Sequence, residues 1–142
     1  MSSDPFDLQR FLDAQAPVID TVRTELRHGR KQTHWMWFVF PQIAGLGFSA
    51  MARRYALHSL DEAIAYDTHP VLGARLRECT SLVLAVYGRS INEIFGAPDD
   101  LKFHSCMTLF ARAAPDAPEF CAALDTYFGE QEDAQTLIKL NL

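Results

Sequence analysis

The 142-residue sequence predicts an all-α fold. Three observations carry that expectation. Helix start and stop signals recur along the whole chain, apolar residues repeat at spacings of three and four, and no segment alternates convincingly with period two. Trp35 to Phe40 is the only strand candidate, and one strand without partners makes no sheet. The expected architecture is a single compact domain over residues 1–142, built of six to eight short helices. A chain of this length buries a sizeable core without staples.

The first helix is expected at Asp4, which can cap it, with Pro5 at its first position and Asp7 in its first turn. Phe6, Leu8, Phe11 and Leu12 form its apolar stripe. Pro17 breaks or kinks the chain, and a second helix carrying Val18, Ile19, Val22 and Leu26 runs to the terminator Gly29. Ser49 opens a helix through Tyr55 and Leu57. Ser59-Leu60-Asp61-Glu62 has capping-box spacing. A longer helix runs from Pro70 to about Tyr87, with Val71, Leu72, Leu76, Val83, Leu84 and Tyr87 as core candidates, and Gly88 closes it. Ser90 to Glu93 repeats the capping box before Gly96. Pro98-Asp99-Asp100 starts a helix whose face carries Phe103, Cys106, Met107, Phe110 and Ala114. Pro115 and Pro118 separate it from a helix near Glu119 to Phe128. Asp133 caps a last short helix with Leu137, Ile138 and Leu140.

Composition narrows the function classes. Hydrophobic residues make up 49% and charged residues 22% of the chain, as in an ordinary globular protein. A formal net charge of −5 argues against general nucleic-acid binding, which favours a basic surface. The cluster Arg23, Arg27, His28, Arg30 and Lys31 sits near a helix end, where cations face the dipole favourably. Cys79, Cys106 and Cys121 are widely spaced and odd in number, without metal or redox spacing. They suit a reducing compartment. The N-terminus Met-Ser-Ser-Asp-Pro-Phe-Asp lacks the pattern of a secretory leader, and the apolar run Trp35–Pro41 is too short to span a bilayer. A cytoplasmic protein without membrane association is the expectation.

Several motifs together resemble a bacterial family known as domain of unknown function 1810. They are Gly29-Arg30-Lys31 followed by His34-Trp35-Met36-Trp37-Phe38-Val39-Phe40-Pro41-Gln42, Gly45-Leu46-Gly47, Ser49 and Tyr55. Then come His69-Pro70-Val71-Leu72-Gly73 with Arg75-Leu76, and Phe95-Gly96 with Asp99-Asp100 and Lys102. Ser105-Cys106-Met107-Thr108-Leu109-Phe110 and Asp133 with Thr136-Leu137 complete the set. The chain departs from the family pattern at Cys106, where a small hydroxyl residue is usual. The resemblance implies a small, mainly helical intracellular protein and no established reaction. A distant likeness to small helical domains that process ADP-ribose derivatives adds one ligand class to consider.

Two constellations carry the functional expectation. In the first, Gly45 and Gly47 let backbone approach a ligand closely, Ser49 adds a hydroxyl, and Arg53 and Arg54 add charge. Trp35 or Trp37 can stack on a ring. The competing reading is a tight turn whose Ser49 caps its own helix. In the second, Lys102, Ser105, Thr108 and Arg112 share a helix face. A lysine with hydroxyls suits a phosphate or carboxylate, and the competing reading is a solvated polar face. Asp99, Asp100 and Asp133 read first as helix-start residues. The five histidines show no ligand spacing, so no metal is expected, and no cofactor is implied.

The expectation is a protein that binds or processes a small anionic ligand, such as a nucleotide or ADP-ribose derivative. Lys31, Trp35, Gln42, Gly45, Gly47 and Ser49 form one wall, and Lys102, Ser105 and Thr108 the other. If there is chemistry, His34 or Asp133 is the base; whether there is chemistry stays open. The alternative is a non-catalytic protein-interaction module with an exposed apolar patch.

Overall fold

The computed structural model describes residues 4–142; residues 1–3, where the segment without a leader pattern begins, lie outside them. Ten helices follow one another among the described residues: α1 Gln9–Gln15, α2 Ile19–Arg27, α3 Met36–Val39, α4 Ala50–Arg54, α5 Leu60–Thr68, α6 Leu72–Leu84, α7 Ile91–Phe95, α8 Asp99–Ala113, α9 Pro118–Phe128 and α10 Ala134–Lys139. Six of them have seven residues or more. The rest are one-turn pieces at chain corners, which is why the number exceeds the six to eight expected. Extended pairing is limited to one parallel bridge, Ile43 with Leu57.

α8 is the axis. It packs against α5, α7, α9 and α10, and every residue from Ser105 to Phe110 is buried. Around it the large side chains Phe11, Trp35, Phe40, Tyr66, Phe103, Phe110 and Phe120 are fully enclosed. The aromatic run therefore serves the core. Trp35 to Phe40 folds as the short helix α3 with its flanking residues, and Phe40 stacks edge-on against Phe103 at 5.2 Å. Edge-to-face pairs of this kind add about 0.5–1.5 kcal/mol beyond the area they bury.

Local signals set most boundaries. Ser49, Ser59, Ser90 and Asp133 each accept a hydrogen bond from the backbone N–H three residues on, and Ser90 with Glu93 completes a capping box. Three boundaries differ from expectation. Pro5 does not start α1. Instead Pro5 and Phe6 form a turn, Asp7 takes a left-handed φ of 52°, and the Asp4 carboxylate reaches the N–H groups of Leu8 and Gln9. α6 begins at Leu72 because the His69 ring Nδ1 accepts from the N–H groups of Val71 and Leu72. It ends at Leu84, which leaves Tyr87 98% exposed rather than in the core. α4 stops at Arg54, so Leu57 is free of the helix and pairs with Ile43.

Two buried polar knots join distant segments. The Arg10 guanidinium has five N–H donors, and it makes five hydrogen bonds. They go to the carbonyls of Phe6, Asp7, Arg54 and Ala56 and to Glu62 Oε2. The Arg10–Glu62 ion pair is 3.0 Å long with both side chains largely buried. Gln15 donates to the Phe38 carbonyl and to the Tyr66 hydroxyl, and accepts from Arg75. No helix among the described residues is long and apolar enough to cross a membrane.

Candidate functional site

Chain geometry between α3 and α5 builds a pocket. After Phe40 and the buried Pro41, the chain turns through residues 42–49 into α4, then returns alongside itself. The Ala44 N–H donates to the Leu57 carbonyl at 2.7 Å, and the Leu57 N–H donates to the Gln42 carbonyl at 2.9 Å. This clasp closes a loop around a cavity of about 90 Å³. Its lining includes Trp37, Gln42, Gly45, Gly47, Arg53, Tyr55 and His58, and no carboxylate. The cavity adjoins a wider groove of about 510 Å³ lined by Phe6, Asp7, Arg10, Arg54, His58 and Glu62, with His58 common to both.

Both glycines of the loop have a steric reason. Gly45 has φ of +96°, and a Cβ there would lie 3.0 Å from Lys139 Cε. At Gly47 a Cβ would lie 2.7 Å from the Cβ of Ala52, so the glycine lets the loop close on α4. Ser49 caps α4 by accepting from the Ala52 N–H at 3.1 Å. The cations differ. Every donor of Arg10 is occupied internally, whereas the side chains of Arg53, Arg54 and His58 make no hydrogen bond or ion pair among the described residues. Arg54 lies over the Tyr55 ring at 5.6 Å.

Lys31 and Lys102 converge, though on a carboxylate. Lys31 Nζ is 2.9 Å from Asp99 Oδ2, and Lys102 Nζ is 3.7 Å from Asp99 Oδ1. Lys31 lies over the Trp35 ring and Lys102 over the Trp37 ring. Trp37 thus links Lys102 to the pocket. Trp35 is 1% exposed, and its indole N–H donates to Glu25 Oε1 at 3.0 Å.

That buried Glu25 is a residue the sequence gave no reason to single out. It also accepts from the N–H groups of Gln32 and Thr33 and from the Thr33 hydroxyl. Burial alone would raise its pKa, but the Gln32 N–H, the Thr33 hydroxyl, the Trp35 indole and the Thr33 N–H together hold it below the usual value. Glu25 therefore fixes the Gln32–Trp35 segment. His34 stands in that segment, exposed, and is not among the residues lining the pocket.

Ser105 and Thr108 do not face solvent. α10 covers that face of α8. Ser105 donates to Asp133 Oδ2 at 3.2 Å, and the Asp133 N–H donates to Thr108 Oγ1 at 2.8 Å. Asp133 Oδ2 also accepts from the N–H and the hydroxyl of Thr136. Asp133, Ser105 and Thr108 thus form one clasp that seats the last helix, and Arg112 pairs with Glu132 nearby. Of the sequence-derived residues, Gln42, Gly45 and Gly47 line the pocket; Lys31 and Lys102 meet at Asp99, over Trp35 and Trp37 respectively; Ser105, Thr108 and Asp133 meet one another elsewhere. Among the described residues no group of three or more His, Cys, Asp or Glu is placed to hold a metal ion. Sequence reasoning missed His58, because only the Ile43–Leu57 bridge brings it to the pocket.

A family model described as a protein of unknown function (DUF1810) matches residues 5–140. The chain is also similar to the crystal structure of the conserved hypothetical protein Rv1873 from Mycobacterium tuberculosis. The two share 59% sequence identity with a TM-score of 0.96, and the match covers 98% of this chain and 99% of that one. No curated protein matches the chain.

Proposed function

We propose a ligand-binding role for this chain, which belongs to the DUF1810 family of proteins of unknown function. Its ligand is a small anionic molecule, of the class that includes nucleotides, ADP-ribose derivatives and phosphosugars. The observation that supports this reading is the pocket beside the Gln42–Ser49 loop. In a chain of net charge −5, it offers Arg53, His58 and Gln42 with no carboxylate in its lining. Charge-assisted hydrogen bonds from such groups are roughly twice as strong as neutral ones.

The size sets the scale of what enters. Ligand clefts span roughly 300–1,000 Å³, so about 90 Å³ takes a phosphate- or carboxylate-sized group and leaves the rest of a larger ligand outside. The anion is held by side chains rather than by the short helix α4, whose Ala52 amide is taken by the Ser49 side chain. Lys102, on the Trp37 ring, adds positive charge to the same side. His34, the acid/base residue expected from the sequence, stands outside the pocket lining and would act only on a part of the ligand that extends beyond it. Asp133 is engaged by three donors in the α10 clasp, so its oxygen would first have to be released.

Thermal-shift screening against inorganic phosphate, AMP, ADP-ribose and ribose 5-phosphate tests this. A ligand at a hundred times its Kd stabilises by about 2.7 kcal/mol. The Arg53→Ala and His58→Ala variants should lose the shift while retaining the unliganded melting temperature. No shift with any probe, or an unchanged shift in both variants, overturns the reading. A dimer in light scattering whose interface holds Phe48 and Met51, which flank the loop exposed, would favour the interaction module instead.

A further inference from the structure

We infer that the ligand is a monophosphorylated sugar, whose phosphate enters the small pocket and whose hydroxylated body lies in the adjoining groove against Phe6, Asp7 and Arg54. The inference rests on the ligand-binding reading above and names the substrate class of that site.

Electrostatics separate the two compartments. The small pocket has Arg53, His58 and Gln42 among its lining and no carboxylate. The groove holds charges of both signs: Arg10 and Glu62 pair at 3.0 Å, while Asp7 and Arg54 both line it without pairing to each other. Glu62 is buried and both its oxygens are already engaged, Oε2 by Arg10 and Oε1 by the backbone N–H of His58. Asp7 differs. Its side chain is exposed and makes no hydrogen bond among the described residues, and it is an acceptor only. A phosphate oxygen has no proton to give Asp7, whereas a neutral hydroxyl would donate to it. Phe6 offers an aromatic face for the apolar side of a sugar ring.

The groove is also rigidly built. Arg10 ties the Phe6 and Asp7 carbonyls to those of Arg54 and Ala56. One cation thus fixes both walls, and holds Asp7 at its left-handed φ of 52°, a conformation Asp and Asn tolerate better than most residues. His58 lines both compartments and stands where phosphate and sugar would join. The volume agrees: the two together amount to a normal ligand cleft, although the pocket alone does not.

Calorimetric titration of the full chain with four probes tests the inference: inorganic phosphate, propyl phosphate, ribose 5-phosphate and ADP-ribose. Ribose 5-phosphate should bind at least tenfold tighter than propyl phosphate, which has the same charge and no hydroxyls, and tighter than ADP-ribose. Asp7→Gly, which accepts the left-handed backbone without strain, should reduce that advantage to within twofold without weakening the binding of phosphate. Asp7→Asn, which keeps an acceptor oxygen, should fall between. Equal affinity for the ribose and propyl phosphates, or an undiminished advantage in both Asp7 variants, overturns the sugar assignment while phosphate binding stands. Tighter ADP-ribose binding would replace it with a diphosphate ligand. Failure of every probe to bind removes the site itself.

Discussion

Removing the Glu25 carboxylate should unpin the segment that leads into the site, and its contacts set the size of the effect. A hydrogen bond to a charged group contributes roughly 1.5–3 kcal/mol, and a buried donor left unmet costs about 1–3 kcal/mol. In Glu25→Ala the Trp35 indole N–H is buried with no partner, about 2–3 kcal/mol. The Gln32 and Thr33 donors are half-buried and regain water, so together they add about 1–2 kcal/mol. A loss of about 4 kcal/mol is expected, or about 10–15 °C in melting temperature for a chain of this size. Glu25→Gln keeps the shape and an acceptor oxygen but loses the charge assistance, and should cost about 2 kcal/mol. Urea unfolding followed by tryptophan fluorescence measures both. The pH dependence has a definite sign. The folded-state pKa of Glu25 lies below its usual 4.5, so its contribution is complete above about pH 4.5 and is lost as pH falls through the depressed folded value. The gap between the parent protein and Glu25→Gln should therefore close in acid. A Glu25→Ala loss below about 1 kcal/mol, or a gap equal at pH 7 and pH 3, would refute the argument.

Two further outcomes are expected. Asp133→Ala removes both the α10 cap and the Ser105 and Thr136 contacts, and should destabilise by about 2 kcal/mol in chemical denaturation, more than an ordinary N-cap; Asp133→Asn should restore at least half of that. Burial pushes the Cys79 thiol up to about 12 and that of Cys106 well above its usual value, while Cys121 is exposed. A thiol reagent should then label one cysteine per native chain and three after denaturation, and early labelling of Cys106 would show that α8 is not the closed axis described.

The helix starts were legible because a cap is a local event. Ser49, Ser59, Ser90 and Asp133 each bond to an amide three residues away, and sequence spacing displays that. The glycine loop was legible as a place for the same reason. The second proposed wall was read from helical spacing as one polar face, which holds for α8 as an isolated helix. α10 docks on that face, and so Ser105 and Thr108 meet Asp133. Glu25 and Arg10 looked like ordinary surface charges. Their burial depends on partners up to 52 residues away, which no local pattern encodes. His58 was invisible likewise, since it reaches the pocket through one bridge pair.

The five bonds of Arg10 also bear on how the protein should be handled. The turn before α1 and the strand-like return at Ala56 are held by the same side chain, so the residues ahead of α1 act as masonry of the groove. A preparation shortened to start at α1 would lack Phe6 and Asp7 and would leave Arg10 with two carbonyls fewer to hold. Ligand screens on such material would report silence from a protein that is otherwise well folded. The purification tag belongs at the other end.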